Sequence, residues 1–187
     1  MTTYSNAAAS AFSLRAATYC HRTHLPITLA EESPILSEVL QVWETVRHGR
    51  TMPSRADIDA FDFRRSTLPY LGMMSVEHDP FRFRYRLTGT NMDQVHDANL
   101  TGQYVDQIAR NYRRDDLQPD LEQLVDRKVP QLVFVQFQSV EDYRREHRIL
   151  RLPLSGGGPG SDPLRVDRIL IAFEPIDPVS RQAFRNN

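Results

Sequence analysis

The chain has 187 residues, long enough to bury one sizeable core, and its 40% hydrophobic and 25% charged residues are ordinary for a globular protein. A net charge of −1 with a pI near 6.6 excludes the global basic field that draws proteins to nucleic acid or anionic membrane. Cys20 is the single cysteine, which excludes an intrachain disulfide and points to a reducing cytoplasm, and no apolar run approaches the roughly 18 residues of a membrane-spanning helix.

Residues 1–32 read as a flexible leader. The first thirty contain no Asp or Glu, are rich in Ala, Ser and Thr, and carry Arg15 and Arg22. That composition mimics a transit peptide but lacks the apolar core and basic start of a secretory signal; a short helix over residues 7–17 is the most it predicts. Order is expected from Ser33-Pro34, a good N-cap followed by a proline at the first helical position. Ile35, Leu36, Val39, Leu40, Trp43 and Val46 follow with helical spacing, and Gly49 supplies the stop. The apolar face of this helix must either fold back on its own domain or pair with a second subunit.

Ser54 and Asp57 have the spacing of a capping box and predict a short helix ending near Arg65. Residues 68–76 lead into a first strand, and Glu77-His78-Asp79-Pro80 is turn chemistry. The next segment alternates with period two, Phe81, Phe83, Tyr85 and Leu87 facing one way and Arg82, Arg84 and Arg86 the other: a half-buried antiparallel strand. Short helices follow, with Tyr104, Val105, Ile108, Ala109 and Tyr112 on one face and Leu117, Leu121, Leu124 and Val125 on another. Three more strands are predicted over residues 132–138, 144–154 and 165–173, the last two joined by a mobile Gly-Pro loop at 156–163. The order is helix, two strands, helical insert, three strands. It predicts an α+β fold: a five-stranded antiparallel sheet with helices on one face and an N-terminal amphipathic helix. Residues 33–175 form the domain and 176–187 a flexible tail.

Four segments carry a resemblance: Gly49-Arg50-x-Met52-Pro53-x-Arg55-Ala56-Asp57-Ile58-Asp59, Tyr85-Arg86-Leu87-x-Gly89-Thr90, Leu100-Thr101-Gly102 and Arg151-Leu152-Pro153-Leu154-Ser155. In that order and spacing the chain resembles the PAS-like family (the PAS_5 type) of stand-alone proteins found mostly in alphaproteobacteria. The single lysine, Lys128, beside 22 arginines reads as the codon usage of a GC-rich genome and agrees with it. Two positions depart from the pattern: Asn99 stands where an aspartate is common, and the loop at 156–163 is longer. The resemblance implies a PAS-like fold over residues 34–174. It also implies a cytoplasmic regulatory role without enzymatic activity and no attached kinase, cyclase or helix-turn-helix output.

Candidate sites follow from residue chemistry. Trp43, Met73, Met74, Tyr85 and Phe137 mix flexible and aromatic groups that could line a ligand pocket between the sheet and the insert at 91–128. His96, in the insert, joins them, and a histidine there could bind haem; no cofactor is assigned. Leu36, Leu40 and Trp43, with the stripe of Arg82, Arg84 and Arg86, are candidates for a contact between subunits or with a signalling protein. The bland reading of the stripe is a sheet face with cross-strand ion pairs. Cys20-His21-x-x-His24 has metal-ligand residue types without a fourth ligand, and no metal is assigned. No nucleophile elbow is present, Asp57, Asp59, Asp115 and Asp116 read as caps and solubilising charge, and Gly156-Gly157-Gly158 lacks the rest of a phosphate loop. The expectation is a regulatory module acting through protein contacts as a homodimer. The alternative is a small-molecule receptor; neither nucleic acid nor membrane is an expected partner.

Overall fold

A computed structural model describes residues 17–96, 98–112, 117–139 and 144–176; side chains are described from residue 21 on, except those of 109–112, 137–139 and 144. The expected helix at 7–17, the tail beyond residue 176 and the Asp115–Asp116 pair lie outside the described residues.

Six strands form one antiparallel sheet: β1 (Ala17–Leu25), β2 (Leu71–His78), β3 (Phe81–Thr88), β4 (Gln131–Ser139), β5 (Arg144–Leu154) and β6 (Arg168–Ile176), in the order β1-β4-β5-β6-β2-β3. Among the described residues four α-helices accompany them, α1 (Pro34–Val46), α2 (Thr90–His96), α3 (Val105–Tyr112) and α4 (Leu117–Arg127). The α+β class and the helical insert between β3 and β4 stand as expected, but the sheet has six strands, not five. The extra strand lies in the stretch expected to be a flexible leader. β4 would otherwise present an open edge of unpaired backbone groups, and β1 covers it from Leu25↔Leu132 to Ala17↔Ser139.

Register assigns the side chains to two faces. Met74 and Val76 of β2, Phe83 and Tyr85 of β3, Ile171 and Phe173 of β6, Ile149 and Arg151 of β5, Val133 and Val135 of β4, and Arg22 and His24 of β1 share the face under the insert. The opposite face carries Leu132, Leu150, Leu152, Leu170 and Ala172, all nearly inaccessible, beneath α1. Leu87 does not share the face of Tyr85: a bulge opposite Met73 and Met74 inserts a residue, and Leu87 turns to the other side and stands 57% exposed.

α1 forms because its signals are local. Ser33 accepts a hydrogen bond from Leu36 N at 3.1 Å, Pro34 needs no donor, and Leu36, Val39 and Trp43 make one stripe. That stripe folds back onto its own sheet. Leu36 is 0% and Trp43 2% exposed, and Trp43 Nε1 donates to Pro153 O at 2.9 Å. At about 1.5–3 kcal/mol per buried large apolar side chain, these anchors hold α1 against the domain.

The long first motif is an architectural clamp. Arg50 donates from Nη2 to Val46 O and to Asp57 Oδ2, both at 2.7 Å, tying the end of α1 to the next turn. Asp57 also accepts from Ser54 N at 2.8 Å, and Ala56 N donates to Ser54 Oγ. The expected helix through Arg65 is instead two 3-10 turns, Arg55–Asp57 and Ala60–Asp62, because a second capping box at Asp59–Asp62 restarts the chain before the first turn can propagate. Ser54 bridges Ser155, so the first and last of the four motifs meet across a hundred residues. Ser54 Oγ donates to Gly156 O at 2.8 Å, and a Cβ on Gly157 would come within 3.0 Å of Ala56 N. The Gly-Pro loop expected to be mobile is therefore tied down at its root.

The other two motifs also meet. Gly102 N donates to Tyr85 O at 2.7 Å and Tyr85 N to Gln103 O at 3.0 Å, so residues 102–104 run along the outer edge of β3. Gly102 takes a φ of 88°, and at Gly89 a Cβ would lie 2.2 Å from Pro69 O; each position requires glycine.

Candidate functional site

Between the sheet and the insert lies a mostly enclosed cavity of about 30 Å³, room for roughly two water molecules. Met74 and Tyr85 reach it from β2 and β3, Ile149 and Arg151 from β5, Met92 and His96 from α2, and Arg22 from β1. Three of the residues expected to line a pocket are thus brought together. His96, 4% exposed, is held by an Nδ1 hydrogen bond with Met92 O at 2.8 Å, one turn back on α2.

Two expectations fail for this cavity. Trp43 lies on the opposite sheet face, inside the seam between α1 and β5, and lines no part of it. Met73 also faces away, as register demands of a neighbour of Met74, and lines an outer groove. Phe137 pairs with Cys20 and Arg145 by its backbone, and its side chain lies outside the described residues, as does that of Cys20.

Two arginines in the cavity wall, Arg22 and Arg151, share a carboxylate partner that lies outside the expected site residues. Asp120, on α4, accepts at Oδ2 from Arg22 Nη1 (3.3 Å) and Arg151 Nη1 (3.4 Å), and its Oδ1 lies 3.2 Å from His24 Nε2. Gln131, opposite Arg151 in β4, donates to Asp120 O at 3.1 Å. The Arg22 and Arg151 side chains are only 7% and 3% exposed. Burial first, then the Arg22 charge, lowers the Arg151 pKa to about 10 despite the opposing pull of Asp120 and Tyr85, so Arg151 remains a cation at neutral pH. A sequence signal existed: Arg151 stands between Leu150 and Leu152 in a strand with neighbours on both sides, where its side chain cannot reach solvent.

The arginine stripe divides. Arg82 donates to both oxygens of Asp106 at 2.9 and 3.0 Å and stacks 3.6 Å over the Tyr104 ring. Arg84 donates from Nε to Gly102 O at 3.0 Å and stands 5.3 Å from the same ring. Both are engaged in fastening residues 102–106 to β3; Arg86 is exposed. Of the α1 residues expected at an interface, Leu36 and Trp43 are buried against their own sheet, which corrects that assignment, and Leu40 is half-buried.

A second concavity, about 340 Å³, opens on the outer face between the 3-10 turns and β2–β3. Ile58, Phe63, Met73, Leu87 and Leu170 line it, and Phe61, one residue past its rim at Ala60, is 97% exposed.

A sheet with an insert packed over one face and a small cavity between them defines an α+β module. The family model for the PAS domain (PAS_5) matches residues 31–164, well over half the chain. The chain belongs to this PAS domain family. No curated protein and no solved structure matches it. PAS domains are generally sensory, non-catalytic modules, and a sensory or regulatory role follows for this chain. Among the described residues no helix is long and apolar enough to cross a membrane.

Proposed function

We propose that this PAS domain is a non-catalytic, cytoplasmic receptor for a small ligand held between the sheet and the helical insert. The observation that carries the reading is the convergence of Met74, Tyr85, Met92, His96 and Arg151, from four separate elements, on one enclosed cavity. The cavity is far too small for haem, so His96 serves as a wall with its Nδ1 fixed by Met92 O. α2 supplies two of the lining residues, and occupation of the cavity would shift the insert against the sheet. A thermal-melt screen of small metabolites, charged and neutral, tests the reading. At least one compound raises the Tm of the full chain in a concentration-dependent way and fails to do so for Ile149→Phe, which fills the cavity. A screen without any hit, or a hit undiminished by Ile149→Phe, contradicts it.

A second reading is favoured by the outer groove: contact with a second copy of this chain. Phe61, almost wholly exposed, stands beside an apolar hollow lined by Leu87 and Met73, and a knob next to a hole on one surface suits a two-fold pair. Light scattering of the wild type and of Phe61→Glu tests it. A dimer that becomes a folded monomer supports this interface; an unchanged mass excludes it.

A further inference from the structure

We infer that the ligand of the sheet–insert cavity is a small carboxylate, seated on the guanidinium of Arg151 with a short apolar tail among Met74, Met92 and Ile149. The inference rests on the receptor reading above and names its ligand class.

Arg151 carries five N–H donors in a rigid planar fork. Its side chain is 97% removed from solvent, yet among the described residues its one hydrogen bond is Nη1 to Asp120 Oδ2, at a long 3.4 Å. Asp120 is a divided partner, since the same oxygen also receives Arg22 at 3.3 Å and its other oxygen faces His24. Most of the Arg151 fork is thus without a protein acceptor, and it forms part of the cavity wall. A buried cation with open donors asks for an acceptor that carries negative charge. Carboxylate geometry matches a guanidinium edge with two parallel hydrogen bonds.

Size and surroundings narrow the class. About 30 Å³ is room for roughly two water molecules, which excludes nucleotides and sugars and leaves a carboxylate of two or three carbons as the largest guest that rotamer changes at Met74 and Met92 admit. The remaining wall is largely apolar, with Met92 and Met74 able to change rotamer around a methyl or short alkyl group. Tyr85 lines the same cavity, and its charge interaction with Arg151 favours the protonated guanidinium.

The test is a calorimetric and thermal-melt titration of the full chain with sodium acetate and sodium propionate. The controls are sodium chloride at equal ionic strength and acetamide, the uncharged isostere of acetate. The expected result is a saturable response to the carboxylates, at least tenfold weaker or absent with acetamide and chloride. Arg151→Met, which removes a buried charge while Arg22 and His24 still face Asp120, stays folded and loses the response. Arg151→Lys keeps the charge but not the fork and weakens binding at least tenfold. Arg82→Met, on the other sheet face, leaves it unchanged. Equal responses to acetate and acetamide, or a response surviving in Arg151→Met and Arg151→Lys, overturn the carboxylate assignment. A neutral metabolite that stabilises the wild type but not Ile149→Phe, with no response to carboxylates, overturns the ligand class while leaving the receptor reading intact. Silence toward every compound overturns both.

Discussion

Asp57 shows how a motif residue can look catalytic in sequence and be structural in space. Its carboxylate lies beside Asp59 in the chain, yet each caps a different 3-10 turn. Burial alone would raise its pKa. The hydrogen bond from Ser54 N, the hydrogen bond and charge of Arg50, and His48 together outweigh burial and hold it below the ordinary 3.8. A depressed carboxylate pKa contributes stability that is complete above the ordinary value and is lost as pH falls through and below it. Asp57→Asn is therefore expected to destabilise the fold by about 1 kcal/mol at pH 7. The difference from wild type should close below pH 3.8, as urea titrations at pH 7 and pH 3 would measure. A gap that persists at low pH would assign the effect to packing instead. Arg151 illustrates the opposite sign. Its pKa is lowered because burial disfavours the cation, so the folded state bears a desolvation cost throughout the neutral range, relieved only as pH rises past about 10. A residue kept at such a cost in a core strand calls for an explanation beyond stability, and an anionic ligand supplies one.

At the scale of elements, legibility followed the range of the interactions. α1 was readable because Ser33, Pro34 and the Leu36–Val39–Trp43 spacing act within a few residues of one another. β3 was readable by alternation until the bulge, which depends on pairing with Met73 and Met74 and so left the side of Leu87 unreadable. β1 was hidden because its partner β4 lies more than a hundred residues away and because its inward residues, Arg22 and His24, are polar. Asp120, brought in by α4, makes the Arg22 side chain acceptable in the interior and holds His24 at the margin, 46% exposed. The same non-local dependence concealed the charged floor of the cavity, while Met74, Tyr85 and His96 were legible as chemistry that needed a pocket. The four motifs were recognisable as a set, but their roles came only with the fold: two pin the β5 end to the clamp after α1, and two pin residues 102–104 to β3. The account of β1 is testable by truncation to Pro26. That chain should show faster amide exchange across β4 and a lower Tm, since its edge loses pairing and Asp120 loses Arg22 and His24. Exchange in β4 that matches the full chain would show that β1 does not hold that edge.

The whole molecule combines two sheet faces with different work. One face is sealed by α1, whose anchors are spent internally, and continues into an apolar groove beside Phe61. The other holds the insert over a cavity with a buried cation in its wall. β1 covers the edge that β4 would otherwise present, and residues 102–104 run along the edge of β3. This leaves the insert as the element best placed to respond to what enters the cavity. Four of the five methionines report on the two faces separately: Met74 and Met92 line the cavity, Met73 lines the groove, and Met52 is buried near the clamp. The most direct measurement is a methyl NMR titration of the full chain, labelled at methionine Cε, with sodium acetate. Saturable shifts are expected at Met74 and Met92, with Met73 and Met52 unmoved. Shifts confined to Met73, or none at any methionine, would contradict a carboxylate-binding cavity between sheet and insert.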